Sequence, residues 1–110
     1  MKLTNEQIYS YAMNLNKAFD NENQNLPVKL SFYILKNKKI LTDLAREIEL
    51  ARMELVQNMK DATQDEKYIK IEELAKIEQE VNIYNIDFEE LDKDLILTTG
   101  QMESIMFMIN

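Results

Sequence analysis

The sequence predicts a mainly α fold: a long helix forming an antiparallel helical hairpin, two terminal helices, and a short two-strand β pairing. Three observations carry this. Glycine and proline occur once each, at Gly100 and Pro27, whereas a small sheet-rich domain needs tight turns and the residues that make them. Leu, Ile, Glu, Lys and Met are abundant, and such a mixture favours helices. Apolar residues then recur every seven positions through Ile34, Leu41, Ile48 and Leu55, with no breaker between them. With 45% hydrophobic residues in a chain of 110, one core can be buried. The chain is read as a single helical domain over 1–110, with the hairpin over 27–81 and terminal helices over 1–20 and 98–110.

The elements follow in order. Residues 1–3 are short and strand-compatible. Thr4 and Gln7 have capping-box spacing: the hydroxyl accepts from a free amide of the first turn, and the Gln side chain reaches back. Ile8, Tyr11, Ala12, Leu15, Ala18 and Phe19 follow at helical spacing, and the helix should end near Asp20. The stretch DNENQN (20–25) is a polar loop with no helical face. Pro27 suits the first turn of the next helix, where a missing amide loses no partner. This long helix runs to about Met59. Leu30, Leu44, Ala51 and Met59 broaden its stripe. Near its start Phe32, Tyr33, Leu35 and Ile40 make it apolar on several sides, so more than one neighbour should cover it. Beyond Glu47 the stripe narrows, and the far end is expected to project as half of a two-helix arm.

DATQDEK (61–67) supplies a turn. A helix from about Glu66 to Val81, with Ile71, Leu74, Ile77 and Val81 inward, is expected to return along the long one. From 82 to 97 the helical period is lost, because Ile83, Ile86 and Phe88 stand among Asn and acids. DLILT (94–98) is the best strand candidate there. Thr98 and Gln101 repeat the capping box, and the last helix places Met102, Ile105, Met106 and Ile109 on one side. The start LTNEQ (3–7) therefore returns as LTTGQ (97–101) because in both places a short extended run meets a capped helix. Pairing MKLT with LILT would bring the terminal helices together.

Composition limits the chemistry. There is no Cys and no His, hence no disulfide framework, no thiolate zinc site, and neither the commonest metal ligand nor the commonest general base. The acidic run from Asp87 fails as a calcium loop: its sixth position is Asp92 where Gly is needed, and its twelfth is Thr98 where Glu is needed. A phosphate-binding loop needs several glycines, and no Ser-x-x-Lys motif occurs. The expectation is a protein that is not an enzyme, with no catalytic residue, no metal ligand and no cofactor.

Three stretches are candidates for contact. The last helix carries Met102, Ile105, Met106, Phe107 and Met108, so it is apolar on nearly all sides. It is either buried all round or a partner or oligomer contact. Asp87, Glu89, Glu90, Asp92 and Asp94 form a candidate acidic contact surface, with a solvated loop as the plainer alternative. Lys36, Lys38 and Lys39 are candidate phosphate or acidic-partner contacts, next to Tyr33, or else a solvated helix face. Charge is uneven: residues 1–60 hold nine Lys/Arg against seven Asp/Glu, and residues 61–110 hold four against thirteen. The acidic half repels nucleic acid and membrane phosphates and suits a basic protein partner. No apolar run approaches the ~18 residues of a membrane span, and the start lacks a signal-peptide layout. A soluble cytoplasmic protein without direct nucleic-acid or membrane binding is expected.

The opening MKLTNEQIYSYAMNLNKAF, the entry LPVKLSFYILKNKKI into a long charged helix, and the late FEELDKDLILTTGQMESI before a short final helix resemble a family of small proteins encoded by phages and prophages of low-GC Gram-positive bacteria. The resemblance covers nearly the whole chain and assigns no functional residue. It implies a viral accessory protein acting inside a bacterial host cell. The function expected is therefore non-enzymatic binding of a host or phage protein, with inhibition of a host defence complex as the most specific form. A structural accessory role in the virion or in tail assembly, and an oligomeric sponge for a nucleotide signal, are the alternatives. A homo-oligomer, most simply a dimer, is expected from the last helix.

Excess chelator should leave the melting temperature of the purified protein unchanged. A clear drop would show that the acidic run holds an ion.

Overall fold

Thr4 starts the first helix as its side chain predicts. In a computed structural model that describes residues 1–20, 25–91 and 94–110, its hydroxyl accepts from the Gln7 amide at 3.1 Å, and the Gln7 side-chain oxygen accepts from the Thr4 amide at 2.9 Å. The box joins strand β1 (Lys2–Thr4) to helix α1 (Asn5–Ala18). Ile8, Ala12 and Leu15 form the buried stripe of α1, at the spacing of one helix face. Its last carbonyls find donors on other elements. The Lys38 ammonium donates to the Phe19 carbonyl at 3.0 Å, and the Gln101 carboxamide to the Ala18 carbonyl at 3.2 Å.

Helix α2 (Val28–Asn58) has 31 residues, which at the α-helical rise makes it about 46 Å long. It is unbroken, as the seven-residue repeat predicts. Its first half sends Leu30, Ile34, Asn37 and Leu41 into the core. Further along the same seam Ile48 and Leu55 are only half-buried. Helix α3 (Gln64–Lys76), capped by the Thr63 hydroxyl, packs back on it and buries no residue completely. The molecule measures 57 × 26 × 20 Å, and its radius of gyration of 16.7 Å exceeds the ~13 Å of a compact chain of this length. The projecting arm expected beyond Glu47 accounts for the difference.

Helix α3 was expected to reach Val81, but it stops at Lys76. Ile77 turns to an extended conformation and is 53% exposed, and strand β2 (Glu78–Glu80) follows. Strand β2 pairs antiparallel with β1 in the register Lys2↔Glu80, Leu3↔Gln79, Thr4↔Glu78. The two-strand ribbon thus forms, but the partner of MKLT is EQE and not LILT. Asn5 is the physical reason. It is buried, its amide donates to the Ile77 carbonyl (2.9 Å), its Nδ2 donates to the Leu74 carbonyl (2.9 Å), and its Oδ1 accepts from Gln79 Nε2 (2.7 Å). One side chain holds both the end of α3 and the start of β2 against the start of α1. In the LILT stretch Leu95 and Leu97 pack on the core and Ile96 faces solvent.

The second capping box is present: Thr98 and Gln101 exchange bonds of 3.0 and 3.1 Å and open α4 (Thr99–Ile105). This helix is shorter than expected. It gives way to a 3₁₀ turn at Met106–Met108, and Ile109 then bridges Ile86 in parallel. The expected loop residues 21–24 of DNENQN, and Asp92, lie outside the described residues. A single core joins the pieces, with Leu15 from α1, Leu41 from α2, Val81 and Ile86 from the segment after β2, and Ile105 and Met108 from the last turns.

That segment has little regular structure, so its backbone needs other partners. Asn37, fully buried in α2, supplies two of them. Its Nδ2 donates to the Tyr84 carbonyl (2.9 Å), and its Oδ1 accepts from the Tyr84 amide (2.8 Å). Asn37→Ala should cost about 2–4 kcal/mol, since it leaves a buried donor and acceptor unpaired, as read by chemical denaturation. A change below about 0.5 kcal/mol, the range of an ordinary surface substitution, would show that other contacts hold the segment.

Candidate functional site

Because α3 covers the distal part of α2 incompletely, and α1 meets both, the three helices leave an open cleft of about 470 Å³. This is within the usual size of ligand and side-chain pockets. Its apolar lining is Ile48 of α2, Ile71, Leu74 and Ala75 of α3, and the Tyr9 ring of α1. Helical spacing produces this. Tyr9 stands one position past Ile8, off the buried stripe of α1, and Ile48 is where the seam of α2 runs beyond the cover of α1. Ile71, Leu74 and Ala75 share one face of α3.

Four charged side chains also line the cleft: Glu6, Glu49, Glu72 and Arg52. Arg52 is held by Glu49 through two guanidinium nitrogens, the Nε at 3.0 Å. These hydrogen bonds hold the Glu49 carboxyl below its ordinary range and push Arg52 up. The Glu72 charge raises the neighbouring Tyr68 hydroxyl, and the hydrogen bond that hydroxyl donates to the same carboxylate, burial and the Glu6 charge add to it. Glu6 and Glu72 thus both act on Tyr68.

A second depression, about 550 Å³, lies between the end of α1 and the start of α4. Most of its lining residues are polar or charged, and two of them, Thr98 and Gln101, form the capping box.

The residues singled out by sequence are distributed as follows. Ile105 and Met108 are fully buried, and the Phe107 ring is half-buried, stacked on Tyr11 at 4.5 Å between centroids. For these three the core reading holds, and a partner contact on Ile105 or Met108 would require the fold to open. Met102 and Met106 are exposed, at 36% and 64%, whereas Ile105, expected on the same side of the helix, is fully buried. Met106 opens the 3₁₀ turn, where the α-helical register it would share with Ile105 ends.

In the acidic run, Glu90 pairs with Lys29 and also accepts from the Asp87 amide at 3.1 Å. Asp87 accepts from the Asn110 side chain at 3.2 Å. Glu89 and Asp94 are exposed. The Lys29 hydrogen bond first, and the Asp87 amide second, hold the Glu90 carboxyl below its ordinary range. Its contribution is thus present above the unfolded carboxylate range and lost as pH falls through the lowered folded value. Among the described residues no three acidic side chains are grouped so that they could hold a metal ion.

The three lysines diverge. Lys36 sits over the Phe32 ring at 5.4 Å, Lys38 is bound to the Phe19 carbonyl, and Lys39 pairs with Asp43 at 3.2 Å. They do not form one phosphate site, and Tyr33 packs instead against Tyr84, with Lys29 over its ring.

The cleft residues Glu6, Tyr9, Arg52, Ala75 and Glu72 were missed by sequence reasoning. The one sequence signal near them was the narrowing of the long helix's apolar stripe beyond Glu47. Among the described residues no helix is long and apolar enough to cross a membrane. No protein-family model, curated protein or solved structure matches the chain.

Met108→Glu should abolish the cooperative unfolding transition, because it places an unpaired charge in the core. Met106→Glu, two residues earlier, should change stability by less than about 0.5 kcal/mol. Thermal denaturation followed by circular dichroism checks both, and equal effects would mean that the last turns are packed differently.

Proposed function

We propose that this chain is a non-enzymatic accessory protein that binds a protein partner, and that the cleft between α1, α2 and α3 receives it. The observation that carries this reading is the cleft itself: an open, mainly apolar surface contributed by three helices, on a chain with neither His nor Cys for chemistry. Exposed apolar surface of this kind is characteristic of contact sites. The resemblance to phage and prophage proteins favours a partner inside a bacterial host cell, and a host defence complex is the most specific candidate. The nucleotide-sponge alternative has less support, since Lys36, Lys38 and Lys39 are engaged in three different directions. Self-association through the last helix is not part of the proposal. It has less support than the cleft, since the last helix leaves chiefly Met102 and Met106 exposed.

The test is affinity capture from host lysate with the unmodified protein, with Ala75→Trp, which fills the cleft, and with Tyr9→Ala, which removes an exposed wall. Mass spectrometry should find a protein retained by the unmodified chain and lost from both variants. A host enzyme complex supports the anti-defence form, and tail or capsid components support the virion-assembly alternative. Capture unaffected by either variant would remove the cleft from the proposal.

A further inference from the structure

The backbone and the charges of the cleft restrict what can occupy it. All its lining residues lie on helices, Asn5–Tyr9 on α1, 48–52 on α2 and 71–75 on α3. Helical backbone is bonded along its own helix, so the lining offers no free strand edge. An extended peptide would lose water from its backbone without gaining a ladder. A helix brings its own backbone bonds and can lay an apolar face into a groove between helices.

The charge is equally one-sided. Three carboxylates face one guanidinium, and that guanidinium is already bonded to Glu49. Glu72 has Lys76 only at 3.9 Å, and Glu6 stands in the first turn of α1.

We infer that the partner presents a basic amphipathic helix to the cleft, with apolar side chains against Ile48, Ile71 and Leu74 and with lysine or arginine side chains against Glu6 and Glu72. This rests on the cleft being the docking site, as proposed above. A second copy of the chain is the poorer occupant, because two molecules of net charge −7 repel each other.

The probes are three short fluorescein-labelled helical peptides with one leucine pattern, whose polar positions are all Lys, all Gln or all Glu. Binding is read by fluorescence anisotropy. The Lys peptide should bind most tightly and the Glu peptide least. Glu6→Gln with Glu72→Gln should weaken the Lys peptide by about tenfold, the effect expected for two desolvated charge contacts. Glu89→Gln with Glu103→Gln, which remove the same charge elsewhere, should change it less than about twofold. Ala75→Trp should abolish binding, and Tyr9→Ala replaces it if its helical circular dichroism is lost.

Equal binding of the Gln and Lys peptides, both lost on filling the cleft, would overturn the basic-helix inference and leave the cleft as a docking site. Lys-peptide binding that ignores Ala75→Trp and Tyr9→Ala would overturn both. Equal weakening by the two pairs of Gln substitutions would show unspecific charge attraction and overturn the inference. A dimer in sedimentation velocity that Ala75→Trp or Tyr9→Ala dissolves would make a second copy the occupant, and would overturn it as well.

Discussion

A helix about 46 Å long has more side than a chain of 110 residues can cover, and the rest of the structure follows from how that cover is shared out. The first half of α2 is enclosed by α1, the irregular segment after β2, and the last turns. Leu30, Ile34, Asn37 and Leu41 are therefore shut from solvent. The second half has α3 for its cover, with the start of α1 at one side. Ile48 and Leu55 lie on the same stripe yet stay half-buried. The cleft is the remainder of this division, and it lies where the three helices approach without closing.

Polar side chains decide how the cover is attached. Hydrophobic burial rewards almost any compact arrangement and is indifferent to register. Asn5 accepts from Gln79 and donates to the Leu74 carbonyl, which admits one strand partner and one end for α3. Asn37 takes both backbone groups of Tyr84, which fixes where an otherwise irregular chain crosses α2. Gln101 closes its own capping box and also reaches the Ala18 carbonyl, so the start of α4 is tied to the end of α1. Each is an amide side chain able to donate and accept at once, and left unpaired where it is buried it would be costly.

This division explains what the sequence disclosed. Properties repeated along the chain were legible: the seven-residue seam gave α2 within a residue or two at each end, and the Thr4–Gln7 and Thr98–Gln101 spacings gave two helix starts. Properties that depend on one distant partner were not. Nothing local distinguishes EQE from LILT as a strand, and LILT has the stronger β propensity. What decides is Asn5, whose role appears only once α3 is in place. The last helix left two readings open for a related reason. An apolar surface all round is read as unsatisfied until one knows that Tyr11 offers a ring to stack on Phe107 and that a 3₁₀ turn brings Met108 under Asn37. The cleft was the least legible feature, because a gap between helices is a property of packing and has no residue pattern of its own.

The cleft also differs from the core in the kind of specificity it can offer. The core is set by shape, and its polar groups are satisfied internally; among the described residues no buried side-chain nitrogen or oxygen lacks a partner. The cleft is lined by apolar side chains together with three carboxylates, so under the proposed docking an incoming surface would be selected twice, by fit and by sign of charge. Apolar contact supplies most of the favourable free energy and discriminates poorly between partners. Charge adds less in a solvated setting, but it penalises an acidic partner and speeds the encounter with a basic one. The strongly acidic second half of the chain would extend that filter over the approach to α3, and Glu72 of α3 and Glu6 of α1 would bring it to the apolar lining of the cleft.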